Sequence, residues 1–297
     1  MQSTTPKPIV SPTTAKPTLS ADMFQKYSDF IYKISGIRFA ESKSYFLASK
    51  LWNRVTSNNM TTFEEYFQYI QTPLAATKEH GLLTDEITIN ETFFFRNEPQ
   101  IEKFEKDILK PMLAKRRQEG KMKIRIWSCA SSTGDEAYTT ALQLKDMPEA
   151  QGFTIEIIGT DICSDAVRKA KEGVYMKYAI RNVPPNMLQR YFTVDEAAQK
   201  WTLSQDIKNM VRFQECNLMD SNRIRMLGRF DIAFCRNVLI YFDAESKEVA
   251  LKNISSALQD DGFLLAGHSE NLYSQRHIFK QNLSYGQAMT YQKTPKI

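Results

Sequence analysis

Four short stretches of the 297-residue chain bring together residue types that can do chemistry in one place. The first, Ser128-Cys-Ala-Ser-Ser-Thr-Gly134-Asp-Glu136, is a run of small residues leading into a helical pattern, which allows close backbone approach to a bound molecule. It has one glycine and does not match G-x-G-x-x-G, so a dinucleotide or P-loop reading fails on its own motif. Asp135 and Glu136 would repel phosphates and suit a cationic ligand, or else serve only as first-turn residues favoured by the helix dipole. The second stretch, Gly159-Thr-Asp161, follows a β-rich run, where a carboxylate in a nucleoside-binding α/β fold can accept hydrogen bonds from both ribose hydroxyls. The competing use of Asp161, capping the next helix, is open to Ser164 instead. The third, Cys235-Arg236-Asn237 with Tyr241 one helical turn on, offers guanidinium, amide and hydroxyl donors together. The fourth, Asn90-Glu-Thr92-Phe93-Phe94-Phe95-Arg96, has three consecutive phenylalanines that cannot share one helix face. A bent linker that lays aromatics over a pocket, with Arg96 entering it, is expected there.

Other reactive residues are sparse. Cys129, Cys163, Cys216 and Cys235 stand singly, with no C-x-x-C pair and no zinc or disulfide spacing, so a reduced, cytoplasmic chain without a metal is expected. Among three histidines, His268 in Gly-His-Ser-Glu is read as making a structural hydrogen bond, and His277 and His80 as incidental. The balance of 39 Lys and Arg against 34 Asp and Glu, a net +5, is too mild for a dedicated nucleic-acid binder, although it permits an acidic partner. A composition of 42% hydrophobic and 25% charged residues excludes fibrous and wholly disordered readings. No run of about 18 apolar residues is present to span a bilayer, and the amino terminus lacks a secretory apolar region, so direct membrane insertion is not expected.

Positioning the four stretches calls for two kinds of framework. Residues 1–20 are Thr/Pro-rich and read as a disordered leader. From residue 21 to about 90 the apolar spacing predicts a small all-helical domain of four helices: Met23 to Ile34 closed by Gly36, Ser42 to Val55, one opened by a Thr62/Glu65 capping box, and one from Pro73 towards Gly81. Residues 91–120 form a linker and a long helix capped by Asn97 and Gln100 and bent at Pro111. Beyond 121 the period changes: β-rich runs at 124–127, 153–158 and 230–234 alternate with helical patterns at 134–146, 165–172 and 244–258. That alternation predicts an α/β fold with a parallel sheet, extended by strands at 263–266 and 288–291, over residues 121–297. A segment at about 176–213, with one candidate strand at Lys200–Leu203, reads as a small inserted β subdomain. Ligands of open α/β sheets bind at the carboxyl ends of the strands, where the first three motif-bearing turns fall.

These residues carry a resemblance. N-E-T-F-F-F-R (90–96), W-S-C-A-S-S-T-G-D-E-A-Y (127–138), T-D-I (160–162), N-L (217–218), C-R-N-V-L-I-Y-F-D (235–243) and G-H-S-E-N (267–271) occur in the order and at the intervals of the chemotaxis-receptor glutamate methyltransferases of the CheR type. The chain is similar to that family over about residues 22–295. The resemblance implies a Rossmann-like, S-adenosylmethionine-dependent methyltransferase domain behind the helical one, with S-adenosylhomocysteine as product. It implies that Asn90, Thr92, Arg96, Glu136, Asp161, Asn217, Leu218, Arg236 and Asn237 contact S-adenosylmethionine, and that Arg96 and Tyr241 stand near the transferred methyl. The implied partner is the cytoplasmic helical region of methyl-accepting receptors, met by a monomer that is cytoplasmic or recruited to receptor arrays. Lys43, Lys50 and Arg54, on one predicted helix, could dock that acidic helix, or form an ordinary solvated face. Asp135 replaces the usual first Glu of G-E-E and Ala137 the usual Pro, while Glu136 is kept. Some members hold a receptor tether peptide on the insertion through a glycine-bearing loop; the loop here, about 193–200 (TVDEAAQK), has no glycine and is acidic, so tether binding is not expected.

The implied reaction esterifies a glutamate side chain. A Glu of ordinary pKa, about 4.3, is already ionised at neutral pH, so no general base is required. Two other readings compete. A nucleic-acid methyltransferase would use Cys235 as a thiolate nucleophile and Lys115, Arg116 and Arg117 on phosphates. Against it, the preceding Pro and an N-P-P-Y-like motif are absent. A non-catalytic S-adenosylmethionine-binding scaffold would lose the reacting centre, yet Arg96 and Tyr241 are both present.

Overall fold

A computed structural model describes residues 17–76, 78–281 and 289–294. Most of the expected leader lies outside these residues, but its end belongs to the fold. Leu19 is buried, and the Ser20 hydroxyl accepts from the Met23 N–H at 3.2 Å to cap the first helix.

Among the described residues the amino-terminal part is all helical: α1 (Ala21–Ser35), α2 (Ser44–Ser57), α3 (Phe63–Ile70), α4 (Pro73–Ala76) and α5 (Glu79–Ile87). The periodic apolar residues of α1 point inward, with Tyr27 and Ile31 wholly buried, and Gly36 ends the helix at φ +78°. The capping box forms as expected: the Thr62 hydroxyl accepts from the Glu65 N–H, and the Glu65 carboxylate accepts from the Thr62 N–H. The single helix expected from Pro73 to Gly81 is instead two. Gly81 lies inside α5, because burial of Leu83 and Ile87 and an ion pair at Glu79 outweigh its weak helix propensity, about 1 kcal/mol. That ion pair ties three helices. Arg54 donates twice to the Glu79 carboxylate at 2.9 Å, and Tyr66 and Asn58 donate to the same group.

The long helix also departs from expectation. It comprises α6 (Glu98–Phe104), a π-helical turn (Glu105–Leu109) and α7 (Lys110–Gln118). The wide turn sits just ahead of Pro111, whose ring excludes the carbonyl of Asp107, four residues back. Asn97 does not cap: it has φ +65°, and Gln100 is drawn away to donate to the Ala266 carbonyl at 2.7 Å.

The α/β part follows as β1 (Lys123–Cys129), α8 (Asp135–Asp146), β2 (Thr154–Asp161), α9 (Ser164–Glu172), β3 (Val174–Met176), α10 (Lys177–Ile180), α11 (Pro185–Tyr191), β4 (Phe192–Asp195), β5 (Lys200–Leu203), α12 (Gln205–Lys208), β6 (Val211–Glu215), α13 (Ser221–Met226), β7 (Phe230–Cys235), α14 (Ala244–Ala257), β8 (Leu258–Ala266), β9 (Phe279–Gln281) and β10 (Thr290–Lys293). Among the described residues the main sheet runs β6-β2-β1-β7-β8-β10-β9, parallel through β8 and antiparallel at β10 and β9. The expected start of the last strand, Ala288, lies outside the described residues. The insertion expected at about 176–213 is shifted: its three-stranded sheet, β3-β5-β4, begins at Val174, and β6 is an edge strand of the main sheet beside β2. With only Val211 and Phe213 buried, β6 reads as a weak half-buried strand. Among the described residues no helix is long and apolar enough to cross a membrane.

Replacing Glu79 by Ala would strand the partly buried Arg54 guanidinium and the Tyr66 hydroxyl together. A loss of about 3–5 kcal/mol in unfolding free energy, read by urea denaturation, is expected; a change below about 1 kcal/mol would show the pair to be dispensable.

Candidate active site

The sheet order reverses between β1 and β7, and a cavity of about 420 Å³ opens at the carboxyl ends of these strands and β2. Asn90, Thr92, Arg96, Glu136, Asp161, Asn217, Leu218, Arg236, Asn237 and Tyr241 all line it. The helical part closes one side through Ile37, Arg38, Phe39 and Lys43. Main-chain bonds join the two parts at this rim: Ile37 bridges Phe242, Arg38 N–H donates to the Tyr241 carbonyl at 3.3 Å, and Asn217 donates to the Ile34 carbonyl at 3.0 Å.

The loop after β1 places Ala130 and Ser132 in the left-handed region, at φ +53° and +50°. This turn aims the Ser132 N–H at Asp161, which accepts it at 2.7 Å and the Cys163 N–H at 2.9 Å. Burial raises the Asp161 carboxyl above its ordinary pKa, while these backbone donors favour its charged form. A carboxylate has room for further acceptor contacts after two N–H groups. The loop can lie this close to β2 because residue 159 is glycine; a Cβ there would stand 2.4 Å from the Phe213 ring and 3.0 Å from the Ser131 hydroxyl.

Arg236 sits at the end of β7 with its side chain 6% exposed, and each of its nitrogens has a protein partner. Nε donates to Gln100 at 3.0 Å, Nη1 to Glu136 at 3.0 Å and Nη2 to the Arg96 carbonyl at 2.7 Å. Glu136 also accepts from the Ser128 hydroxyl at 2.7 Å. Arg96 itself donates to the Glu91 carbonyl at 2.8 Å, and its guanidinium carbon is 5.6 Å from the Phe93 ring centre. Burial pushes the Tyr241 hydroxyl upward in pKa, with the Arg96 charge acting the other way, so the phenol remains protonated.

A family model described as the CheR methyltransferase SAM-binding domain matches residues 90–286, and one described as the CheR methyltransferase all-alpha domain matches 22–88. The chain belongs to the CheR methyltransferase family. It is 34% identical over 257 residues to chemotaxis protein methyltransferase 2 of Vibrio cholerae, covering 86% of this chain and 88% of that one. The chemotaxis protein methyltransferase of Borreliella burgdorferi is 30% identical over 277 residues, 93% of this chain and 95% of the relative. That of Escherichia coli is 31% identical, covering 87% of each. Membership makes the chain an S-adenosylmethionine-dependent methyltransferase.

Within this CheR site several residues differ from their expected placement. Asp135 does not face the cavity but is fully buried, one carboxylate oxygen accepting from Thr133 and the other without a hydrogen-bond partner among the described residues. Glu136 does line the cavity, yet Arg236 already balances its charge. Of the three phenylalanines only Phe93 lines the cavity; Phe94 and Phe95 turn into the core. Cys163 rather than Ser164 caps α9, because the Ser164 N–H and hydroxyl both donate to Asp85. His268 is exposed, and Glu270, three residues after Gly267, carries the structural role. His80 is not incidental, since it bonds the Ile70 carbonyl.

Lys43, Lys50 and Arg54 do not form one free basic face. Arg54 is spent on Glu79 and Lys50 pairs with Glu86, while Lys43 lies at the cavity rim. The nucleic-acid reading loses its parts too. Cys235 is buried with its thiol pKa pushed far up, Arg116 pairs with Asp231, Arg117 bonds two carbonyls, and Lys115 approaches Glu119 and Asp261.

Glu270 is the site residue that sequence reasoning missed as an actor. Its carboxylate accepts the N–H groups of Asn237, Val238, Leu239 and Gly267 at 2.7–2.9 Å, fixing the loop that presents Arg236 and Tyr241. The available signal was Gly267 followed three residues later by an acid, a spacing that folds a turn onto itself. Glu270→Ala is expected to weaken S-adenosylhomocysteine binding at least about tenfold by calorimetry, since four backbone donors, two of them buried, lose their acceptor.

Burial raises the Asp135 carboxyl from 3.8 to about 6. A raised carboxyl pKa means the folded state holds the proton more tightly, so this group's contribution falls as pH rises from about 4 to 6. The stability difference between wild type and Asp135→Asn should therefore move against wild type across that window, by up to about 3 kcal/mol. A pH-independent difference in denaturant melts would refute it.

Proposed function

We propose that this chain transfers the methyl group of S-adenosylmethionine to side-chain carboxylates of glutamates on the cytoplasmic helical region of methyl-accepting chemotaxis receptors, forming methyl esters. The observation that carries this reading is the convergence of segments 90–96, 130–136, 161–162, 217–218 and 236–241 on one cavity, in a chain whose relatives bear the name chemotaxis protein methyltransferase.

The donor set fits S-adenosylmethionine. Asp161, already oriented by two backbone N–H groups, suits the ribose hydroxyls, and Ile162 and Leu218 supply apolar walls for an adenine. Asn90, Thr92 and Asn237 add polar groups, while Asn217 is committed to the Ile34 carbonyl and the Met219 N–H and so shapes the wall with its backbone. Arg236 acts by holding Glu136 and the Arg96 carbonyl rather than by offering a free fork. When bound, S-adenosylmethionine supplies an electrophilic sulfonium methyl.

The protein's own contribution is alignment. Arg96 offers the incoming carboxylate a charged donor, and the protonated Tyr241, also lining the cavity, offers a second. No proton has to be removed from an ionised glutamate, so the reaction needs neither His nor a thiolate. Fixing nucleophile and electrophile in line can supply roughly 7–11 kcal/mol in favourable cases. Lys43 at the exposed rim presents positive charge to an approaching acidic helix, whereas its neighbour Arg38 is already paired with Asp29 at 2.7 Å. We place the protein in the cytoplasm, where that receptor region lies.

Incubation with methyl-labelled S-adenosylmethionine and a receptor cytoplasmic fragment should give label that is released as volatile methanol by base. Tyr241→Phe should lower kcat roughly tenfold with little change in KM, and Arg96→Ala should lower kcat roughly a hundredfold. Base-stable label, or none with any receptor fragment, would sink the proposal.

A further inference from the structure

The inserted subdomain faces the linker that delivers Asn90, Thr92 and Arg96 to the cavity, and the contact is dense. The Phe94 N–H donates to the Ala179 carbonyl at 3.0 Å, and the buried Phe94 ring meets Tyr175 edge-on at 4.8 Å and Phe192 at 5.5 Å. The Tyr178 hydroxyl donates to Glu91 at 3.0 Å. Between these contacts lies Arg181, just past α10. Its guanidinium carbon is 3.4 Å from the Phe93 ring centre and 3.7 Å from that of Tyr178, and it donates to the Tyr178 carbonyl. Phe93 is therefore shared: the Arg181 guanidinium lies over its ring, and that of Arg96 lies against it at 5.6 Å.

We infer that the inserted subdomain is a clamp on this linker, and that Arg181 is a positioning residue which acts through Phe93 to hold Arg96 for methyl transfer. Arg181 is not among the residues lining the cavity and is itself exposed, so it does not touch the reacting groups. The linker has no helix or strand of its own to stiffen it between Ile87 and Glu98, and Phe95 and Asn97 hold positive φ values of 53° and 65°. A segment of that kind keeps its shape only through contacts from outside. A guanidinium lodged against both rings, which meet edge-on at 6.1 Å and 72°, supplies one, since its planar, delocalised charge packs against aromatic surface and tolerates partial hydration better than an ammonium would. This gives the insertion a part in the reaction even with an acidic, glycine-free loop at 193–200.

The assignment to catalysis rests on the role of Arg96 proposed above; the clamp itself does not. Two readouts on the full chain separate them. In hydrogen exchange without cofactor, Arg181→Ala should speed exchange of a peptide covering 90–97 on the order of tenfold, with the rest of the chain and the melting temperature unchanged. In steady-state methylation of a receptor fragment, kcat should fall on the order of tenfold while KM for S-adenosylmethionine shifts less than about threefold. Arg181→Lys, which keeps the charge and loses the planar contact, should resemble the Ala variant. Combining Arg181→Ala with Phe93→Leu should cost no more than the worse single change, because both break one chain of contacts. Unchanged linker exchange, recovery by Lys, or fully multiplicative losses in the double variant would overturn the inference. If wild type methylates no receptor fragment, the functional reading fails, and the exchange result still decides the clamp.

Discussion

Arg236 is a cation almost wholly removed from water, and a buried charge left without partners costs several kcal/mol. Its demand for acceptors organises the cavity. Gln100 comes from α6, Glu136 from the first turn of α8 and the Arg96 carbonyl from the linker. Two of these partners pass the constraint on. Gln100 donates to the Ala266 carbonyl at the end of β8, and Glu136 accepts from Ser128 at the end of β1. One guanidinium thereby fixes the linker, two helices and the ends of three strands relative to each other, which is the precision that a reaction governed by alignment requires.

The loops that this network holds are strained. Phe95, Asn97, Ala130, Ser132 and Asn237 all lie at positive φ, where a side chain costs roughly 1–2 kcal/mol, and all are in or beside the segments that form the site. Each has a contact that holds it or its neighbours in place. The Phe95 N–H donates to Thr139, Ser132 is anchored on Asp161 and the Asn90 carbonyl, and Asn237 is pinned by Glu270. The acids of the site accordingly have internal duties. Asp161 and Glu270 accept backbone N–H groups and Glu136 faces Arg236, so the positive net charge of the chain says little about what the cavity binds.

Much of the site was legible because its residues are local in sequence and fall at strand ends, where topology alone brings them together. The capping box at Thr62, the Gly36 stop and the alternation of strands with helices are likewise local signals and were readable. What escaped depends on long-range pairing. Arg54 reads as a surface charge because its partner, Glu79, is 25 residues away. The strand β6 carries only two buried side chains, too few for a period to show, and exists because β2 offers it an edge. The Phe-Phe-Phe run was correctly read as non-helical, but which ring faces the cavity was fixed by the insertion, whose Tyr175 and Phe192 take Phe94 inward.

The helical domain forms part of the cavity wall and is not an appended module. Tyr241 is held from that side: its carbonyl accepts the Arg38 N–H, its neighbour Phe242 bridges Ile37, and Asp243 accepts from Tyr32 and lies 3.8 Å from Arg38. Gly36, which lets the chain turn from α1 into this seam at φ +78°, is also closely packed, since a Cβ would stand 2.9 Å from the Met219 side chain. A domain attached only to recruit substrate would tolerate a loose joint. Here the main chain of the joint also holds Tyr241 at the cavity, so the helical domain and the α/β domain share one geometry, and a displacement of either is felt at Tyr241.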